Sequence, residues 1–284
     1  MIYRSWLFVP GNQERKIKNA LNLSADVIII DLEDAVPADE KKSAKNIVEN
    51  LLSKHENEKI FIRINGQQKE LAEEELKSIV KLRPKGIMLP KSEDAFGIIE
   101  FDNLVKELET SANITMGTVK FVPLIESALG VLNSREIASA SSRNICLAFG
   151  AIDFTLDIGA ELTPSGSELL MARSMLVLAA KVAGLTVVDT VYPHIKDDDG
   201  LYQETSFIKS LGMFGKLVIH PNQIGIVNDI FSPTEEEILS AQKIIAAFKE
   251  AEDQGIGAIQ VNGKFIDYPV AARAKRVLEI AGLF

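Results

Sequence analysis

Cysteine, tryptophan and histidine are scarce in this 284-residue chain, which holds one Cys, one Trp and three His. A lone Cys146 excludes an intrachain disulfide, and so few histidines argue against a zinc site built from imidazoles. Cys146 sits in the apolar run Ile145-Cys146-Leu147-Ala148, where a small buried side chain is a better fit than a reactive thiol. No apolar run reaches the roughly 18 residues of a membrane span, and the start, Met1-Ile2-Tyr3-Arg4-Ser5-Trp6, has no basic segment followed by a long apolar one. A cytoplasmic protein is expected. Positive charge is also short: the net charge of -9 disfavours nucleic acid and anionic membranes as partners. There is no Walker-type loop, and Gly255-Ile256-Gly257 lacks the preceding strand of a dinucleotide fingerprint.

What the chain does have is apolar material in short, regular doses. Eight β-branched runs recur: Leu7 to Val9, Val27 to Ile30, Ile60 to Ile64, Gly86 to Leu89, Val119 to Ile125, Ile145 to Phe149, Thr186 to Val191 and Leu217 to Ile219. Most are continuously apolar rather than alternating, as expected of parallel strands covered on both faces. Helical patterns lie between them, at 38–53, 70–82, 98–108, 167–183 and 202–211. Eight such units predict an α/β fold, a (β/α)8 TIM barrel over residues 1–231, with a doubly wound open sheet as the competitor. Residues 232–284 form a C-terminal helical extension: Thr234-Glu235-Glu236-Glu237 is a capping box, and Ile238, Ala241, Ile245 and Phe248 share one helical face.

Barrel active sites lie at the carboxyl ends of the strands. Here those ends carry Asp31-Leu32-Glu33-Asp34, Arg63-Ile64-Asn65, Pro90-Lys91, Glu126-Ser127, Asp153, Asp189 with Tyr192, and His220-Pro221-Asn222-Gln223. Carboxylates crowded on one rim repel each other unless a cation intervenes, and oxygen ligands with retained water suit Mg²⁺, with Mn²⁺ as the alternative. Glu126 and Asp153 end neighbouring strands and could share the ion; rim charges or helix caps are the other reading of the same spacing. Arg63 could clamp a carboxylate or stabilise an oxyanion, or it could simply pair with Glu33 or Asp34. Arg15, Lys16 and Lys18 form a basic cluster that could receive the phosphates of a nucleotide-containing ligand, or be a solvated helix face.

Taken in order, the motifs Arg4-Ser5, Leu7-Phe8-Val9-Pro10-Gly11, Asp31-Leu32-Glu33-Asp34-Ala35-Val36, Arg63-Ile64-Asn65, Leu89-Pro90-Lys91, Ile125-Glu126-Ser127-Ala128, Gly150-Ala151-Ile152-Asp153-Phe154, Gly215-Lys216, Ile219-His220-Pro221 and Asn262-Gly263-Lys264 with Ile266-Asp267 resemble the citrate lyase β-subunit family. That family lies within the HpcH/HpaI aldolase superfamily and includes malyl-CoA and citramalyl-CoA lyases. The resemblance implies that Glu126 and Asp153 hold Mg²⁺, that Arg63 contacts substrate, and that Asp267 comes from a neighbouring subunit to complete the site. It places Phe8, the basic residues Arg15 and Lys18, and Ile219 with His220 near CoA or its carrier equivalent. It also implies a homo-oligomer, a trimer or hexamer, with other citrate lyase subunits as further partners.

The expected reaction is cleavage of a 3-hydroxyacyl thioester, of citryl-CoA or citryl-carrier type, to an acetyl thioester and a 2-oxo acid such as oxaloacetate. Ser127-Ala128-Leu129-Gly130-Val131-Leu132-Asn133 looks like the citrate lyase subunit, whereas His220-Pro221-Asn222-Gln223 and Ser232-Pro233 are more similar to the citramalyl-CoA branch. The rivals are therefore a citramalyl-CoA or malyl-CoA lyase releasing pyruvate or glyoxylate, and a non-catalytic assembly subunit.

Overall fold

The computed structural model describes residues 3–55, 57–66, 68–261 and 263–284, which divide into two units, 3–228 and 229–284. The first is built on eight strands: β1 Ser5–Pro10, β2 Val27–Asp31, β3 Ile60–Arg63, β4 Gly86–Leu89, β5 Lys120–Ile125, β6 Cys146–Phe149, β7 Thr186–Val188 and β8 Lys216–Val218. The helices between and after them are α1 Glu14–Leu21, α2 Lys41–Leu52, α3 Lys69–Ile79, α4 Ala95–Ser111, α5 Ala128–Leu132, α6 Ser134–Ser139, α7 Ala151–Asp157, α8 Leu170–Val182, α9 Asp198–Leu211 and α10 Asn222–Phe231. Neighbouring strands are parallel in the order β7-β6-β5-β4-β3-β2-β1-β8. The two ends of that sheet meet where Asp189 bridges Lys216, so the sheet curls into a TIM barrel.

Every residue of β2, β3 and β4 is buried, which is what their uninterrupted apolar runs require. The interior is filled by Trp6, Val27, Ile29, Phe61, Met88, Val122 and Leu124, among others. The rings of Trp6 and Phe61 lie 5.1 Å apart. Phe61 sets the residue across from it: a Cβ at Gly86 would meet that ring and stand 2.7 Å from the Lys120 carbonyl oxygen. Only glycine fits there. Cys146 is buried in the same core, and burial pushes its thiol far above the ordinary range, so its role is packing.

Two buried ion clusters fasten this framework. Arg173 reaches Asp189 through both Nε and Nη2 at 2.9 Å, and Lys216 Nζ contacts Asp189 Oδ2 at 2.9 Å and Glu204 Oε1 at 2.5 Å. Asp189, expected on the reactive rim, is instead fully buried at the closing seam, where its charge is matched by two cations. The second cluster joins Arg143 to Asp102 and Glu109, each at 2.7 Å.

The second unit holds α11 Glu235–Asp253, a hairpin of β9 Ile259–Val261 with β10 Lys264–Ile266, and α12 Tyr268–Ile280. The expected capping box is present, with Thr234 and Glu237 exchanging side-chain and backbone bonds. Ala241, Ala274 and Leu278 form one small core, and Phe248, Ile266 and Ala271 a second, so the unit has apolar contacts of its own. The hairpin occupies a stretch that reads from sequence only as glycine-punctuated; Asn262 of the expected motif lies outside the described residues. No helix among the described residues is long and apolar enough to cross a membrane.

Candidate active site

The parallel register puts Asp31 beside Arg63 at the ends of β2 and β3. Arg63 Nε and Nη2 bind the two Asp31 oxygens at 2.7 and 2.6 Å, a bidentate pair almost out of water. Asp31 also accepts from the Glu33 and Ala35 N–H groups, so the loop after β2 wraps around its carboxylate. The remaining nitrogen, Nη1, meets Glu33 and Asp34 only at 3.3 Å. Below the guanidinium lies the Phe8 ring, 5.0 Å from its carbon. Burial opposes the charge on Arg63, but Asp31, Glu33 and Asp34 outweigh it and raise its pKa further. Arg63 is thus held in one orientation with one edge loosely engaged.

Glu126 follows β5 and is 4% exposed. Its Oε1 accepts from the Lys91 backbone N–H at 2.8 Å, an N–H aimed by a left-handed backbone at Lys91, φ 49°. The other oxygen, Oε2, lies where position 150 can carry no side chain: a Cβ there would stand 2.7 Å from it. Asp153 sits in the first turn of α7, half-buried. Burial pushes the Glu126 carboxyl up to about 8, with Asp153 and Glu33 adding to the rise against the Lys91 N–H and Arg63. Burial likewise lifts Glu33 to about 7, and its Oε2 is buried without a hydrogen bond. A small cavity of about 130 Å³ beside them is lined by Glu33, Asp34, Lys41, Asn65, Gln68 and Lys91.

Among the described residues, Glu33 Oε2 is therefore buried without a hydrogen-bond donor, and the Lys91 N–H engages Oε1 of Glu126. No set of three or more His, Cys, Asp or Glu among the described residues converges as a ready metal cage. Two carboxylates completed by water and ligand oxygens suit Mg²⁺, which keeps part of its hydration, better than a cage-demanding ion.

Of the remaining predicted residues, Ile219 is exposed and His220 half-buried on the loop after β8, where the His220 Nδ1 accepts from Asn222 N–H at 3.3 Å. Arg15 and Lys18 lie on the exposed side of α1, and Lys18 pairs with Glu14 at 2.7 Å. Asp267 belongs to the second unit, where its side chain caps α12 by accepting from Val270 N–H at 3.2 Å. Exposed Phe265 and Tyr268 flank it. The structure also gives partners that sequence reasoning did not assign. Asp31 is the principal partner of Arg63, ahead of Glu33 and Asp34. Gln223 fixes the β8 loop by accepting from Ile219 and His220 N–H while donating to the Tyr192 carbonyl at 2.8 Å. Glu75, buried in α3, takes both the backbone N–H and the side-chain amide of Asn65.

A family model described as "HpcH/HpaI aldolase/citrate lyase" matches residues 4–221, and one described as "C-C_Bond_Lyase of the TIM-Barrel fold" matches residues 168–284. The chain is 41% identical to citrate lyase subunit beta of Leuconostoc mesenteroides subsp. cremoris, over 98% of this chain and 93% of the relative. It is 34% identical to the mitochondrial citramalyl-CoA lyase of Mus musculus, over 98% and 86%. The crystal structure of CitE from Mycobacterium tuberculosis in complex with magnesium, acetoacetate and coenzyme A superposes with a TM-score of 0.81 at 28% identity, covering 99% of this chain and 98% of that one. With three quarters of its length matched by the first model and its eight-stranded barrel shared with a solved relative, the chain belongs to the HpcH/HpaI aldolase/citrate lyase family of carbon–carbon lyases.

Proposed function

We propose that this chain is a Mg²⁺-dependent lyase that cleaves a citryl thioester to an acetyl thioester and oxaloacetate. The observation that carries this reading is the buried Glu126 carboxylate after β5, under the charges of Asp153 in the first turn of α7 and Glu33 after β2, with one oriented guanidinium acting on it as well. Glu126 and Asp153 would hold the ion, which supplies a positive charge that polarises the oxygens of the 2-hydroxy acid portion.

The bond that breaks joins the carbinol carbon to the CH₂ of the thioester. The hydroxyl proton passes to water, the carbinol becomes the oxo group, and the electron pair passes to the thioester as an enolate whose CH₂ then takes a proton. Arg63 stabilises that developing oxyanion through Nη1, the edge Asp31 leaves free. Its rigidity matters, because a donor already oriented costs no rearrangement when charge appears. Asp267 exchanges the proton at the acetyl carbon. Phe8 holds Arg63 from below, and the exposed Arg15, Lys18, Ile219 and His220 form the approach for CoA or a carrier-bound thioester.

In this reading Asp267 acts on the site of a neighbouring copy, in a closed symmetric trimer or hexamer, and further lyase subunits associate with it. Residues 1–231 form the catalytic domain and 232–284 the part delivered to the neighbour. A citramalyl-CoA substrate is the second reading, favoured by the 34% identity to that lyase.

Citryl, citramalyl and malyl thioesters, assayed with Mg²⁺ and with chelator, test the function; the highest kcat/KM is expected on the citryl thioester, and no carbon–carbon cleavage of any of them overturns it. The shared site has its own test. Asp267→Ala and Asp153→Ala chains are each expected to be inactive, and to recover part of the activity when mixed under conditions of verified subunit exchange. No recovery would put Asp267 to work within its own chain or remove it from the reaction.

A further inference from the structure

We infer that Asp157 is a positioning residue that fixes the spacing of Glu126 and Asp153. Its Oδ2 accepts from the Ala128 backbone N–H at 2.7 Å. Ala128 lies two residues after Glu126, and Asp157 lies one helical turn after Asp153 on the same helix, α7. This one bond therefore ties the loop that presents the first carboxylate to the helix that presents the second.

A matching tie exists on the other side of the pair. Gly150 N–H donates to the Ile125 carbonyl at 2.9 Å, continuing the ladder in which Leu124 pairs with Ala148 and Ile125 with Phe149. The chain from Ile125 to Ala128 and the chain from Gly150 to Asp157 are thus joined at both ends, with Glu126 and Asp153 between the joints. The start of α7 is pinned separately, by the Ala151 N–H to Thr190 Oγ1 bond at 3.0 Å and by buried Phe154 against Phe149, but neither of these contacts touches the loop that carries Glu126, which the Asp157 bond does.

A simple capping role is the alternative. Ser127 already caps the five-residue α5 by accepting from Gly130 N–H, so the Ala128 N–H bond is additional to that cap. A cap alone would influence stability and leave ion binding untouched. A spacer would change affinity and size discrimination, because Mg²⁺ demands oxygens at about 2.0–2.1 Å while Ca²⁺ tolerates about 2.3–2.6 Å in looser geometry.

The inference rests on Glu126 and Asp153 as the metal ligands, and calorimetric titration of the wild type with Mg²⁺ and Ca²⁺ tests that premise in the same experiment. Asp157→Ala is expected to weaken Mg²⁺ binding roughly tenfold or more, as loss of an outer partner of a ligand does, and Ca²⁺ binding less, narrowing the preference. Asp157→Asn keeps an acceptor oxygen and is expected to recover most of the affinity. Ala128→Pro deletes the same bond from the donor side at a helix position that favours proline, and guards against misfolding of the first variant. It should reproduce the Asp157→Ala defect, and the double variant should add little to either. Folded Asp157→Ala and Ala128→Pro proteins with wild-type Mg²⁺ affinity and an unchanged Mg²⁺/Ca²⁺ ratio overturn the inference while leaving the metal reading standing. Failure of the wild type to bind Mg²⁺ overturns both.

Discussion

Two groups of buried charge in the barrel are built to opposite specifications. At the seam, Asp189 is answered by Arg173 and Lys216, and Lys216 again by Glu204, every contact falling between 2.5 and 3.6 Å. At the strand ends Arg63 makes the ion pairs with Asp31, Glu33 and Asp34, while Glu126 takes a hydrogen bond from the Lys91 backbone N–H and lies in the fields of Arg63 on one side and of Asp153 and Glu33 on the other. The cations at the seam hold Asp189 below the usual carboxylate range despite complete burial, whereas burial with too few cations lifts Glu33 and Glu126 to about 7 and about 8. A charge cluster that balances itself makes structure, and one left in deficit waits for something to bind.

The sharpest way to break this comparison is Asp189→Asn, which leaves Arg173 and Lys216 without their shared anion. A loss of about 3–5 kcal/mol is expected in denaturant unfolding, as for other half-deleted buried pairs, with the Mg²⁺ affinity of the folded fraction unchanged. A changed affinity with intact stability would reverse the two assignments. Next comes Arg63→Lys, which keeps the charge but loses the planar fork; turnover should fall at least about tenfold with Mg²⁺ still bound, and near-normal turnover would reduce Arg63 to a rim salt bridge.

The smallest effect sharpens the contrast at Glu75, outside both clusters, where burial lifts the carboxyl to about 7 from 4.5 against the Asn65 hydrogen bonds. The folded chain then holds a proton that the unfolded chain has released, so this group's contribution to stability falls as pH rises from about 4.5 to about 7 and stays low above that. Glu75→Gln should flatten the slope of Tm against pH in that window. An unaltered slope would show that Glu75 ionises in the folded chain as it does in the unfolded one.

The barrel was legible in the sequence because each strand is a dense apolar run between polar ends, and the eight runs found that way each overlap one of β1 through β8. The hairpin was not, since strands of three residues are too short to show a period, although Asn262-Gly263 is the dipeptide that favours tight hairpin turns. Arg63, Glu126 and Asp153 stand out as charged groups in or shortly after apolar runs. Their supports do not. Asp31 lies 32 residues from Arg63, and nothing local says which of three nearby acids will take the bidentate place. The Lys91 contribution is a backbone N–H, invisible in residue type, and Asp189 looks like a rim acid until its two cations arrive from α8 and β8. Asp267 reads from spacing as a turn residue, and its cap bond agrees with that; its larger role enters through family resemblance alone.

The empty place at Gly150 carries a consequence for how such chains drift. So long as Glu126 keeps its carboxylate against that backbone, any side chain at 150 collides with it, so the two positions are inherited as a pair. Trimming Glu126 to alanine in a descendant that abandons catalysis does not release that bond, because the Cβ of residue 126 itself lies 2.8 Å from the place a Cβ at 150 would take. Glycine at 150 is therefore held in place by any side chain at 126, and it outlasts the carboxylate it was first needed to admit.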